Sequence, residues 1–489
     1  MKMAKIIIVG GGVAGLSAGI YARLAGHEAE IYEKHIIAGG NLTGWDREGY
    51  HIDNCIHWLT GTNKNSSLYK MWVDLGVLGD NVGIVQGGSL ITCERGGKRL
   101  SLPPSLSHLR DDMLLMAPED KAEINRFCNA VELIMALDHI AGESADGGIT
   151  LGRLLRGAGP ALKYYSLTTG QLAKRFKNPA LQCFITGFWG DDFGAFALMY
   201  VFATYCGRNG ALPEGGSLRT AERMVERFES LGGRLHLHSP VSKVNLEGGV
   251  AKSITLADGS TVSGDYVIMA TDAAVTFGKL LELPMPKKLR AQYDDPRLRR
   301  FSAYHAAFAC DLQLLPFEGD LIFDVPAGYV GILGTKQLIL REFSHEPSYA
   351  PEGKNILQTL TFCFEEDCKE FIRLRSENRE AYKEKKLYLA AILQQIIEEH
   401  CPFLHGHLSL IDFWTPASYE RFVGSEVGSF MSFAIPEKFL PIPIDCSVEG
   451  ISNLFLATQW LQSPGGLPIA AQQGRAAVDK INKIEKKKK

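Results

Sequence analysis

Residues Lys5–Lys34 read KIIIVGGGVAGLSAGIYARLAGHEAEIYEK. Ile6–Val9 is a short β-branched run that suits a buried parallel strand. Gly10-x-Gly12-x-x-Gly15 follows at once. Leu16–Ala25 predicts a helix with Leu16, Ile20 and Leu24 on one stripe and Gly26 as its stop. A second strand, EAEIYE, ends at Glu33. Each part of this strand–turn–helix–strand unit has a physical role. Gly10 permits the tight turn, Gly12 lets backbone approach a pyrophosphate, and Gly15 allows close packing of helix on strand. The helix N-terminus stabilises phosphate charge. A carboxylate at Glu33 is placed to hold ribose hydroxyls. The cofactor contacts expected here are Gly10, Gly12, Val13, Ala14, Gly15, Glu33 and Lys34. A glycine-rich turn without a ligand does not account for Glu33, and an acid there disfavours a 2′-phosphate, hence NADP.

The 489 residues suffice for two or three domains with their own cores. With 46% hydrophobic and 22% charged residues, the composition is that of an ordinary globular protein. A formal net charge of −3 gives no basic excess for nucleic acid. The one basic run, Lys486–Lys489, reads as a solvated tail. Ten scattered cysteines include no CxxC pair, and Cys363 and Cys368 are poorly spaced for zinc, so no metal site is expected. Free thiols point to a reducing cytosol. The chain enters its first strand too early for a signal peptide. No apolar run reaches the roughly 18 residues of a membrane span. The longest, Gly194–Cys206 (GAFALMYVFATYC), reads as a buried or interfacial helix. A cytoplasmic protein is expected, with peripheral membrane contact left open.

Further motifs narrow the dinucleotide. After Glu33 comes AGGNLTGWDREGYHIDNCIHWLTG (38–61). Its Gly39-Gly40 pair resembles the extended FAD fingerprint of the glutathione-reductase and amine-oxidase superfamily, in which an Arg commonly follows the doublet. Asn41 stands there instead, which leaves the phosphates more dependent on backbone N–H groups. Near the other end, GISNLFLATQWLQSPGGLPIAAQQGRAAVDKI (450–481) predicts a strand at Leu454–Ala457, a Pro-Gly-Gly loop at 464–466 and a helix from about Pro468. It resembles the closing FAD motif of the phytoene desaturase, carotenoid isomerase and retinol saturase group. That resemblance implies that Gln459, Gly466, Leu467 and Pro468 line the flavin. Such a helix N-terminus stabilises negative charge on a reduced flavin. Residues 212–244 and 251–273 resemble a third block of the family: a Gly-Gly turn and amphipathic helix, then a hairpin around Asp258-Gly259 and a buried strand Tyr266–Ala270. By the resemblance, Val241 sits beside the adenine, and Ala270-Thr271 closes the strand under the flavin. Together these segments are similar to the phytoene desaturase-like branch of the FAD-dependent amine-oxidase superfamily.

The implied fold is α/β: a Rossmann-type, glutathione-reductase-like FAD-binding domain with an inserted mixed α+β substrate domain. The cofactor domain is expected from 1–79, 211–284 and 441–489, the substrate domain from 80–210 and 285–440. The first insertion is mainly helical by periodicity, for example Pro118–Leu137. The second holds strand-like runs, FSAYHAAFACDLQLL and GYVGILGTKQLILREF, and a long charged helix, Glu365–His400. On that helix the stripe Phe371, Leu374, Leu389, Ile392 and Ile396 reads as core. WTPASYERFVGSEVGSFMSF (414–433) resembles the family's TP-x-(S/T)-Y stretch. Gly157-Ala158-Gly159-Pro160 lacks a preceding strand, so no second NAD domain is expected.

The resemblance implies hydride transfer between flavin N5 and a hydrophobic, isoprenoid-like substrate: desaturation, saturation or isomerisation. The electron partner is then oxygen, a quinone or a nicotinamide. His57, next to Trp58 in a loop that the family places near the flavin, is the candidate catalytic residue. An imidazole that only bonds backbone is the ordinary alternative. Packing is the ordinary role for Trp58, and solvated loop acids for Asp191 and Asp192. Tyr419 and Glu426 carry a weaker signal. Two other functions stay open: a flavin-dependent amine or amino-acid oxidase, although no Lys fits the motif, and a noncatalytic FAD- and lipid-binding protein.

Overall fold

The structure, a computed structural model, describes residues 3–143 and 163–488, without the side chains of 137–143. Gly157–Pro160 and Lys489 lie outside the described residues. Five parallel strands form one sheet, in the order Arg234–His236, Glu28–Tyr32, Lys5–Val9, Tyr266–Met269, Leu454–Leu456. The runs IIIV, YVIM and LFL of the last three strands are wholly buried, as strands covered on both faces must be. Helix Val13–Leu24 packs on this sheet and touches helix Gly216–Ser230. The latter buries Ser217, Thr220, Ala221, Met224 and Phe228, one stripe at helical spacing. Helix Leu467–Lys487 lies against Val13–Leu24 at close range: Ser17 Oγ donates to the Ala471 carbonyl at 2.7 Å. A Cβ on Gly474 would collide with the Ala14 carbonyl.

A seven-stranded sheet stands opposite, in the order Leu408–Trp414, Phe301–Cys310, Asn355–Phe364, Gln337–Glu342, Asp320–Asp324, Ile91–Arg95, Lys98–Ser101. It is antiparallel except where Asp320–Asp324 runs parallel to Ile91–Arg95. Its residues alternate faces, as the pleat requires. Ile322 and Ile339 meet the helices between 121 and 206, while Leu321, Phe323, Leu338 and Leu340 meet those between 365 and 400.

The structure corrects two sequence expectations. Glu365–His400 is two helices, Glu365–Glu377 and Arg379–His400, because the Asn378 side chain accepts from Ala381 N–H and caps the second. Of the stripe, Phe371, Leu389, Ile392 and Ile396 are buried and Leu374 is half-buried. The first insertion is mainly helical over its described residues, as expected, and also supplies a hairpin, Ile91–Arg95 and Lys98–Ser101, turning on Gly96 (φ +60°) and Gly97 (φ +72°). GYVGILGTKQLILREF begins as helix Ala327–Leu333, stopped at Gly334, and becomes strand only at Gln337–Glu342. Elsewhere the elements fall within a few residues of expectation.

Candidate functional site

A cavity of about 830 Å³ lies between the two sheets, within the roughly 300–1,000 Å³ common for ligand sites. Gly10, Gly12, Val13, Ala14, Glu33, Lys34, Gly39, Gly40, Asn41, His57, Trp58, Val241, Ala270, Thr271, Gln459, Gly466, Leu467 and Pro468 all line it. Gly15 does not.

The glycines separate by what a side chain would meet. A Cβ on Gly10, where φ is +104°, would come within 2.7 Å of the Ala270 carbonyl. One on Gly15 would overlap the Gly10 carbonyl. Both are glycine for the fold's sake. Gly39 is held the same way, at φ +118° and with Ala221 Cβ 2.8 Å from its would-be Cβ. Gly12 differs. Its φ is −72°, and nothing lies nearer to its Cβ position than Gly40 Cα at 3.9 Å. The protein leaves that space open toward the cavity.

Two helix N-termini end on the same cavity, at Gly12-Val13 and Gly466-Leu467, and neither helix has an acid in its first turn. Their unpaired N–H groups therefore present partial positive charge without a built-in counter-ion. The Glu33 carboxylate is fixed by Gly11 N–H at 2.7 Å and His35 N–H at 2.8 Å. Several buried polar atoms on lining residues have no protein partner: His35 Nδ1, Asn41 Oδ1, Ser429 Oγ and Ser463 Oγ. Open space at Gly12, paired helix termini and orphaned polar atoms fit a phosphate-bearing dinucleotide. Burial lowers the pKa of both Lys34 and His35. The Lys34 ammonium donates to the Arg421 carbonyl at 3.3 Å. At the C-terminal turn, Gln459 Oε1 accepts from Gly466 N–H at 2.8 Å. Asp272 lines the cavity beside Thr271, and burial pushes its carboxyl up to about 6.

Toward the seven-stranded sheet the lining becomes aromatic: Trp58, Phe188, Trp189, Phe301, Phe362 and Phe430. The segment carrying His57 is anchored by buried Asp53, whose carboxylate accepts from Ser217 N–H, Ser217 Oγ and Tyr349 Oη at 2.7, 2.5 and 2.9 Å. His57 Nδ1 lies 3.0 Å from Asp320 Oδ2. Asp320 is buried, and Arg341 Nε stands 3.7 Å from its other oxygen. Burial alone would raise the Asp320 pKa; His57 and Arg341 outweigh it and hold the carboxyl below its usual value. His57 thus has a carboxylate partner, which goes beyond the backbone-bonding alternative.

Sequence reasoning did not single out the lining residues His305 and Asn54, nor Asp320, which is buried behind His57. His305 and Tyr419 line the wall beside Asn54; Tyr419 is the Tyr of the TP-x-(S/T)-Y stretch, whereas nothing in the local pattern marks His305. Asp191 and Asp192 stay outside the cavity and pair with Lys336 and Arg299. Glu426 pairs with Arg300. Helix Ala195–Cys206 is core on one face and cavity wall on the other, through Phe196, Ala197, Tyr200 and Val201. Among the described residues no cluster is suited to a metal ion, and no helix is long and apolar enough to cross a membrane.

Comparisons with known proteins agree with this architecture. The 4,4'-diaponeurosporene oxygenase of Staphylococcus haemolyticus is 22% identical over 517 aligned residues, covering 99% of this chain and 98% of that protein. The chloroplastic prolycopene isomerase of Daucus carota is 22% identical over 479, covering 91% and 75%. Among solved structures, an oxidoreductase from Methanosarcina mazei superposes with a TM-score of 0.61 at 18% identity, covering 98% of this chain and all of that one. The family model described as flavin containing amine oxidoreductase matches residues 13–482. The chain therefore belongs to the flavin-containing amine oxidoreductase family, and its cofactor is FAD.

Proposed function

We propose that the protein is an FAD-dependent oxidoreductase acting on carbon–carbon bonds of a hydrophobic, isoprenoid-like substrate. One observation carries this: a single cavity joins the glycine cradle to an aromatic chamber. The charged lining residues, Glu33, Lys34 and Asp272, belong to the cradle end. No Lys, Arg, Asp or Glu lines the chamber among the described residues. Such a wall suits a lipophile and offers a cationic amine no counter-ion. Relatives named for carotenoid chemistry support the same reading.

Bound FAD supplies hydride transfer at its N5. The chain's own groups do the rest. Gly12 and the two helix N-termini hold the phosphates, Glu33 the ribose and Val241 the adenine edge, with Gln459, Gly466, Leu467 and Pro468 at the flavin. Aromatic side chains exclude water and align the substrate bond. The Asp320 carboxylate accepts from His57 Nδ1–H, which leaves Nε2 as the ring atom able to take or give a proton. The two sheets also support the division of the chain into a glutathione-reductase-like cofactor half (1–79, 211–284, 441–489), which supplies all five parallel strands, and a substrate half (80–210, 285–440), which supplies all seven strands of the other sheet.

The test is anaerobic. Polyenes in detergent micelles are mixed with oxidised and with dithionite-reduced holoprotein, and products are identified by mass spectrometry. A two-hydrogen mass change or an isomer is expected. Flavin bleached by amines but untouched by any polyene would overturn the reading.

A further inference from the structure

We propose that Asn54, Tyr419 and His305 form a recognition point for a hydroxyl group, so that the substrate is a lipophilic alcohol and not a pure hydrocarbon. This rests on the reading of the chamber as a lipophile site. The three residues come from distant parts of the chain and all line the cavity. The Tyr419 hydroxyl lies 2.9 Å from Asn54 Oδ1 and 3.1 Å from His305 Nε2. Trp414 Nε1–H donates to the same hydroxyl at 3.1 Å.

Counting protons shows an imbalance. His305 Nδ1 faces the Thr359 carbonyl at 3.0 Å, and two lone pairs cannot face each other, so Nδ1 carries the hydrogen. Nε2 is therefore an acceptor. Burial, reinforced by nearby His57, holds the ring neutral by pushing its pKa down to about 3. Asn54 is oriented in the same way: its Nδ2 donates to the Asn41 carbonyl at 3.1 Å, which turns Oδ1 toward Tyr419. Two acceptors thus share the single hydroxyl proton of Tyr419. Whichever accepts it, the other is left without a protein donor; for the buried His305 ring that costs about 1–3 kcal/mol, while the half-buried Asn54 oxygen faces the cavity.

A ligand O–H corrects the count by donating to the remaining acceptor. An ether, a ketone or a hydrocarbon has no proton to give, and a carboxylate would add another acceptor. An ammonium would donate, but no carboxylate lines this part of the cavity among the described residues. An uncharged alcohol at the end of an apolar chain matches both the donor deficit and the aromatic surroundings.

The test uses FAD-loaded protein with geranylgeraniol and its methyl ether, followed by perturbation of the flavin absorbance. The alcohol is expected to bind about tenfold tighter than the ether. Asn54→Leu removes the surplus acceptor and should bring the ratio close to one. Tyr419→Phe leaves two acceptors and no donor, and should keep or raise the ratio. Both variants should retain FAD. Equal binding of alcohol and ether to the wild type overturns the proposal while leaving the lipophile reading intact. Binding of neither probe overturns both. An unchanged ratio in Asn54→Leu overturns the proposal, as does lost FAD in that variant, which would assign the acceptor to the cofactor. Should Asn54→Leu fail to fold, loss of the ratio in Tyr419→Phe decides against it.

Discussion

At the cradle end of the cavity, the lining groups come from short segments, around Gly10–Lys34, Gly39–Asn41, Val241, Ala270–Asp272 and Gln459–Pro468. At the aromatic end, His57 meets Asp320 across 263 residues of sequence, and Asn54 meets Tyr419 across 365. The cradle works largely through backbone N–H groups and missing side chains, so its requirements appear as glycines at fixed spacing. The chamber works through side chains brought together by sheet register. The first kind of site is written locally, and the second is produced only by the tertiary fold.

Four measurements would break or sharpen this contrast. The largest effect is expected within the cradle itself. Gly15→Val should prevent folding, since even a Cβ overlaps the Gly10 carbonyl; a cost of about 4 kcal/mol or more is expected. A soluble variant with wild-type Tm would show that the helix does not pack this closely. Gly12→Val should fold and yet hold FAD at least ~100-fold more weakly, because only the cavity borders its side chain. Yellow protein with full flavin occupancy would refute it. The two glycines, three residues apart, thus separate fold from ligand.

At the chamber end, His57→Ala and Asp320→Asn should each lower the rate of flavin reduction by substrate about 10²-fold while FAD is kept. Unchanged turnover in both would assign the pair to structure alone.

The smallest effects are in pH. His305 has its pKa pushed from 6.5 down to about 3, so the unfolded chain binds its proton more readily. Its stabilisation is full above pH 6.5 and is lost as pH falls toward 3. Asp272 is shifted the other way, from 3.8 up to about 6. The folded state binds that proton more tightly, so its contribution is full below pH 3.8 and is lost as pH rises through 6. His305→Gln should flatten the acid limb of a Tm–pH profile, and Asp272→Asn should raise stability at pH 7 by about 1–3 kcal/mol. Identical profiles for both variants and wild type would remove the distinction.

The same contrast explains what was legible. Strand Lys5–Val9, the turn after it and the helix from Leu467 follow from glycine spacing and apolar runs. The break at Asn378 was legible too, as an N-cap three residues ahead of Ala381, but the continuous charge pattern hid it. The hairpin at 91–101 had its Gly-Gly turn. For Ala327–Leu333, Pro326 before and Gly334 after were helix boundaries that outweighed the β-rich composition. Asp320 had no local signal. Its neighbours Arg341 and Ile91 are set by strand pairing, and His305 stacks on Trp414 at 4.6 Å because their strands pair.

The close contact between Ser17 and Ala471 also has a consequence for biosynthesis. These partners are 454 residues apart, which at about 5–20 residues per second is roughly 20–90 s of translation. Throughout that interval the first glycine turn is already made while the second helix that completes the cradle is not. If the cradle binds as proposed, cofactor loading is a late event in the life of the nascent chain, and a ribosome that stops before the helix from Leu467 releases a polypeptide that carries the dinucleotide signature but cannot close its site.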